Sequence, residues 1–166
     1  MTRVYLPCTL PRLRAALRSG SVDAPVAYAV TPALREWYVE GDSEELEYAA
    51  AAVAARASLR LLAREDTASL PRRVVLAADV PDGSARPAPD LDRAAVRLAG
   101  PLRVTEVVSA LVDDVSATAD VRRAAEMLPV ADAGDDDAAF VVEGVEDHEL
   151  GWYAAAELGP LVELEC

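Results

Sequence analysis

The chain has 166 residues, of which 29 are acidic and 16 basic, for a formal charge of −13. That length suits one compact domain burying about 70% of the surface its unfolded form exposes, so neither metal nor disulfide is needed to fold it. The charge argues against binding nucleic acid or docking on anionic lipid, because a polyanion is repelled.

All 16 basic residues are Arg, and the chain has no Lys, Asn, Gln or Ile, while Ala fills 34 positions. Lys-dependent Schiff-base chemistry and a P-loop lysine are therefore excluded, as is an N-glycosylation sequon. The two cysteines, Cys8 and Cys166, form no C-x-x-C pair, and a reducing cytoplasm is the expected compartment. The N-terminus lacks the apolar run of a signal peptide, and no stretch approaches the ~20 apolar residues a membrane span needs.

Arg3 to Cys8 reads as a short strand. Thr9 then caps a helix with Leu10, Leu13 and Leu17 on one face, stopped at Gly20. Val26 to Val30 is a second strand, and Thr31-Pro32 opens a short helix that ends near Gly41. Asp42 caps a longer helix with Glu44, Glu45 and Glu47 early, Arg56, Arg60 and Arg64 late, and an apolar stripe through Leu46, Ala50, Val53, Ala57 and Leu61. Arg73 to Val80 is a continuous apolar run, as in a buried strand.

Pro81 to Asp92 reads as a loop, Ala95 to Ala99 as a fourth strand, Val104 to Ser109 as a helical turn and Ala110 to Val115 as a fifth strand. Ser116 or Thr118 caps a helix through Leu128. An acidic loop follows over Ala131 to Ala139. Asp147 caps a final helix from His148 to Leu158 or beyond. The expected fold is a single α/β domain over 1–166, with a mixed sheet of about five strands and helices packed on it. A two-layer α+β sandwich is the alternative. The early strand–helix alternation implies parallel crossovers.

Four stretches, VYLPCTLPRLR, VTPALREWYVEGDSEELEYAA, RVVLAADVPD and DHELGWYAAAEL, resemble a family of small actinobacterial proteins classed as a domain of unknown function. The resemblance runs over nearly the whole chain and implies a small soluble protein. It carries over no functional residues.

Three candidate chemistries remain. If the first two strands are parallel neighbours, the helix starts at Thr9 and Thr31 converge, with Arg12 and Arg35 beside them, as a site for a small anionic ligand. Ordinary N-capping explains the same residues. If Asp79, Asp113 and Asp114 lie at one edge, they could hold Mg²⁺ for hydrolysis. Aspartates also end strands simply because they make turns. The third reading is a non-enzymatic interaction domain, acting on a protein partner or as a homodimer. No cofactor is expected. The lone His148, in an acidic stretch, reads as solvated, and the pairs Trp37-Tyr38 and Trp152-Tyr153 read as core anchors.

Overall fold

A computed structural model describes residues 1–65 and 70–164; the Cys166 thiol lies outside them. Nine strands and six helices run in the order β1 (Thr2–Cys8), α1 (Leu10–Ser19), β2 (Ser21–Val22), β3 (Val26–Tyr28), α2 (Pro32–Trp37), α3 (Ser43–Arg64), β4 (Val74–Val80), β5 (Ala85–Pro87), β6 (Ala95–Leu98), β7 (Leu102–Arg103), β8 (Val107–Asp113), α4 (Thr118–Asp132), α5 (Asp136–Gly144), β9 (Leu150–Ala154) and α6 (Leu158–Leu164). Seven strands form one sheet in the order β5-β6-β3-β1-β4-β8-β9, and β2 and β7 pair separately.

The α/β architecture with helices packed on a sheet is as the residues indicate. The sense of pairing is not: every pair in the large sheet is antiparallel. Tyr5 faces Tyr28 across β1 and β3, so Val26 enters β3 level with the end of β1. The chain leaves the sheet through α1 and returns to the same end by way of β2, so no parallel crossover forms.

Side chains alternate between the two faces of each strand. Val4, Leu6 and Cys8 of β1 join Val74, Leu76, Ala78 and Val80 of β4 on one face, covered by α1 and α6. Tyr5, Val75 and Ala77 point the other way, beneath α2 and α3. The far end of α3, through Leu59 and Leu62, packs on α4 and α5 at Val121, Leu128 and Val142. The sheet around β1 and β4 thus lies between α1 and α6 on one face and α2 and α3 on the other, with α4 and α5 packed on the end of α3.

Local chemistry sets the helix starts. Thr9 Oγ1 accepts from the Arg12 amide at 3.3 Å, Thr31 Oγ1 from that of Leu34 at 3.2 Å, and Asp42 Oδ1 from that of Glu45 at 2.9 Å. Each satisfies one of the first-turn N–H groups that the helix itself leaves unpaired. Gly20 ends α1 at φ +89°, a left-handed conformation that favours glycine, and its N–H bonds the Ala16 carbonyl at 2.7 Å.

The short strands β2, β5 and β7 are not among the expected elements, β8 starts at Val107 inside the expected helical turn, and two longer regions also differ. The stretch from His148 to Leu158 is not one helix: Leu150–Ala154 forms edge strand β9, and the helix begins only at Leu158. The expected acidic loop gives rise to α5, because Asp135 Oδ2 accepts from the Ala138 amide at 2.8 Å and caps it.

Candidate functional site

The antiparallel sheet separates the groups that parallel strands would have gathered. Thr9 leaves the end of β1, while Thr31 lies beyond the end of β3, which runs the other way. The two helix starts therefore open at opposite ends of the sheet. Thr9 and Arg12 already hold an anion of the chain's own: the Glu65 carboxylate accepts from Thr9 Oγ1 at 3.1 Å and from Arg12 Nε at 2.7 Å. Thr31 donates instead to the Arg93 carbonyl, and Arg35 is exposed. The expected convergence of Thr9, Arg12, Thr31 and Arg35 is corrected accordingly.

The aspartates are separated in the same way. Asp79 sits across from Arg3 at the end of β4, and its carboxylate takes Arg3 Nε at 2.6 Å. Asp113 ends β8, which runs against β4, and lies beside Arg73 at the start of β4. At ~3.4 Å per residue, Asp79 and Asp113 stand about 20 Å apart along the strands. Asp114 turns to its own helix start, accepting from the Ser116 amide at 2.9 Å and hydroxyl at 2.6 Å. These three carboxylates do not share an ion, and among the described residues no cluster of three or more His, Cys, Asp or Glu could hold one.

Asp113 has a structural partner. Arg73 grips it through Nε and Nη2, each at 2.8 Å, and through its backbone N–H at 2.8 Å. Arg72 Nε adds a bond to the Asp113 carbonyl at 2.8 Å. The side chains of Arg73 and Asp113 are 3% and 0% exposed, so this is a buried, bidentate ion pair.

Beside that pair opens a cavity of about 270 Å³ between α3 and the sheet. Its floor is Val75 and Leu111, paired in register across β4 and β8, with Leu150 of β9 alongside. Its roof is the α3 face Ala51, Ala52 and Ala55. The alanines explain the space: a methyl group cannot fill the gap that a leucine at the same helical position would close. The row across the floor continues from Leu111 to its register partner Trp152 on the sheet edge, which is 65% exposed.

At the mouth stand Tyr48, Arg56, Glu146, His148 and Glu149. Arg56 Nη1 pairs with Glu146 Oε1 at 3.0 Å, and His148 Nε2 lies 2.8 Å from Asp120 Oδ2 of α4. Arg56 Nε is shut off from solvent with no acceptor among the described residues. A shallower groove of about 810 Å³ adjoins the cavity along the outer flank of α3, from Leu34 and Tyr38 to Glu146. Tyr48, Ala52, Arg56 and Glu146 border both hollows.

Two of the three late arginines of α3 are tied within the molecule. Arg56 meets Glu146, and Arg60 meets Asp132 of α4 at 2.5 Å. Of the aromatic pairs only Tyr153 packs against the core: Trp37 is 61% exposed beneath the Arg93 guanidinium, Tyr38 is exposed beside it, and Trp152 lies at the sheet edge. The cavity itself left one trace in the sequence, the Ala-rich stretch of α3 opposite strongly apolar strands, with Tyr48 standing out among small residues.

No curated protein and no solved structure matches the chain. A family model does, over residues 2–162, nearly the whole chain. The protein belongs to DUF6912, a family of unknown function.

Proposed function

We propose that the protein is a non-enzymatic binding module of the cytoplasm, and that its working surface is the cavity and groove along α3. The observation that carries this reading is the apolar hollow beneath Ala51, Ala52 and Ala55, open to solvent beside exposed Tyr48. Binding sites combine an apolar concavity with a few polar groups at its rim, and this hollow has both. Three of the charged groups that line it are engaged structurally: Arg73 with Asp113, Arg56 with Glu146, His148 with Asp120. None forms a nucleophile–base pair, which supports binding over catalysis. Among the described residues no helix is long and apolar enough to cross a membrane.

The test is a neutral apolar dye. Nile red should fluoresce on the wild-type protein with saturable binding. Ala52→Trp places a large side chain at the border of both hollows, from an exposed helix position where the substitution costs little stability. It should abolish the signal with a melting temperature near that of the wild type. Equal dye binding by the folded variant contradicts the proposal.

A further inference from the structure

Resting on that reading, we infer that the occupant is a segment of another protein carrying an apolar anchor flanked by Lys or Arg. Two observations converge on it. The first is shape. The cavity, at about 270 Å³, is just below the ~300–1,000 Å³ of sites that enclose a whole small molecule. It opens sideways into a groove three times larger and much shallower. A deep hole joined to a shallow trench suits one buried side chain with the chain it belongs to laid alongside, as at an interface hot spot.

The second is charge. Glu44, Glu45, Asp92, Glu146 and Glu149 border the two hollows. Among the described residues, the arginines that line them are Arg56, held by Glu146, and Arg73, held by Asp113. Glu44, Glu45, Asp92 and Glu149 have no ion-pair partner among the described residues. The rim therefore presents uncompensated negative charge, on a chain of net charge −13. Such a field attracts a basic segment and repels an acidic one, a second copy of this chain included.

The experiment uses four dye-labelled peptides in fluorescence anisotropy: Leu-Trp-Leu flanked on each side by three Lys, three Ser or three Glu, and a Ser-Ser-Ser centre flanked by three Lys. The Lys-flanked Trp peptide should bind at least tenfold more tightly than the Ser-flanked one, and the Glu-flanked one not at all. The Lys peptide lacking the anchor should be at least tenfold weaker. Raising the salt should weaken both Lys-flanked peptides and leave the Ser-flanked one unchanged. The Glu45→Gln/Glu149→Gln variant should lose at least threefold affinity for the Lys-flanked Trp peptide.

Equal binding of the Lys- and Ser-flanked Trp peptides, with Nile red still bound, overturns the basic-partner inference and leaves the binding reading standing. Equal binding of the two Lys peptides reduces the effect to bulk charge and overturns it as well. A dimer in sedimentation that Ala52→Trp dissociates makes the occupant a second copy and also overturns it. Failure of Nile red itself is the separate result that removes the binding reading beneath it.

Discussion

Burial takes the Cys8 thiol out of reach of solution chemistry. The side chain is 1% exposed, its Sγ leans on the Thr9 carbonyl at 3.4 Å, and desolvation pushes its pKa up to about 12. A thiol reacts as the thiolate, so in a Cys166→Ser chain Cys8 should stay unlabelled by a thiol reagent at pH 8 for as long as the fold is intact. It should label at once in denaturant; rapid labelling of the native chain contradicts this placement. The linkage has a definite sign. The folded state disfavours the thiolate, so the stability this group contributes is whole below pH 9 and drains away as pH rises toward 12.

Asp79 works in the opposite direction. The Arg3 guanidinium, hydrogen-bonded to it, holds its carboxyl below the usual carboxylate range. Its contribution is present above the ordinary carboxylate value and is lost as pH falls through the lowered one. The difference in melting temperature between wild type and Asp79→Asn should therefore be largest near neutral pH and shrink as pH falls through the lowered value. A difference that grows on acidification contradicts the pairing. The buried pair is a larger matter. Asp113→Ala leaves the Arg73 charge enclosed without its partner and should cost about 3–5 kcal/mol in urea unfolding. A loss below about 1 kcal/mol would mean the site is wetter than its burial indicates.

Among the elements, those with local signals were legible and those defined by distant partners were not. Thr9-Leu-Pro, Thr31-Pro and Asp42 announced α1, α2 and α3 because capping is a contact within one turn. Thr31→Ala should cost about 1 kcal/mol by thermal or urea unfolding, since Thr31 both receives the Leu34 amide and ties α2 to the Arg93 carbonyl. An unchanged midpoint contradicts the cap. Leu150–Ala154 was misread for the converse reason. Five residues with one glycine and two aromatics carry no helix-or-strand period of their own, and β8 decides the outcome by pairing with them. The short β5 was lost inside a Pro-rich stretch that looks like a loop, and β2 and β7 exist only as each other's partners.

At the scale of the molecule, one wrong bit of information moved every candidate site. Strand direction is set by how the chain re-enters after α1, a property of residues 20–25 that composition does not reveal. Reversing β3 and β4 relative to β1 sends Thr31 and Asp79 to the end of the sheet opposite Thr9 and Asp113. The cavity was hidden for another reason. It is a deficit of volume, Ala51, Ala52 and Ala55 above Val75 and Leu111, and a chain with 34 alanines gives no warning of which ones leave a hole. The proposed binding face is then a product of packing two layers, one Ala-rich and one branched, with carboxylates at its rim.

The claim that this face is where the protein binds is tested most directly by amide chemical-shift mapping of the labelled protein titrated with indole, a neutral mimic of an apolar anchor. Saturable shifts confined to residues 48–59 and 145–150 are the predicted result. Shifts centred on the helix starts at residues 9–12 and 31–35, or weak shifts scattered without saturation, would contradict it.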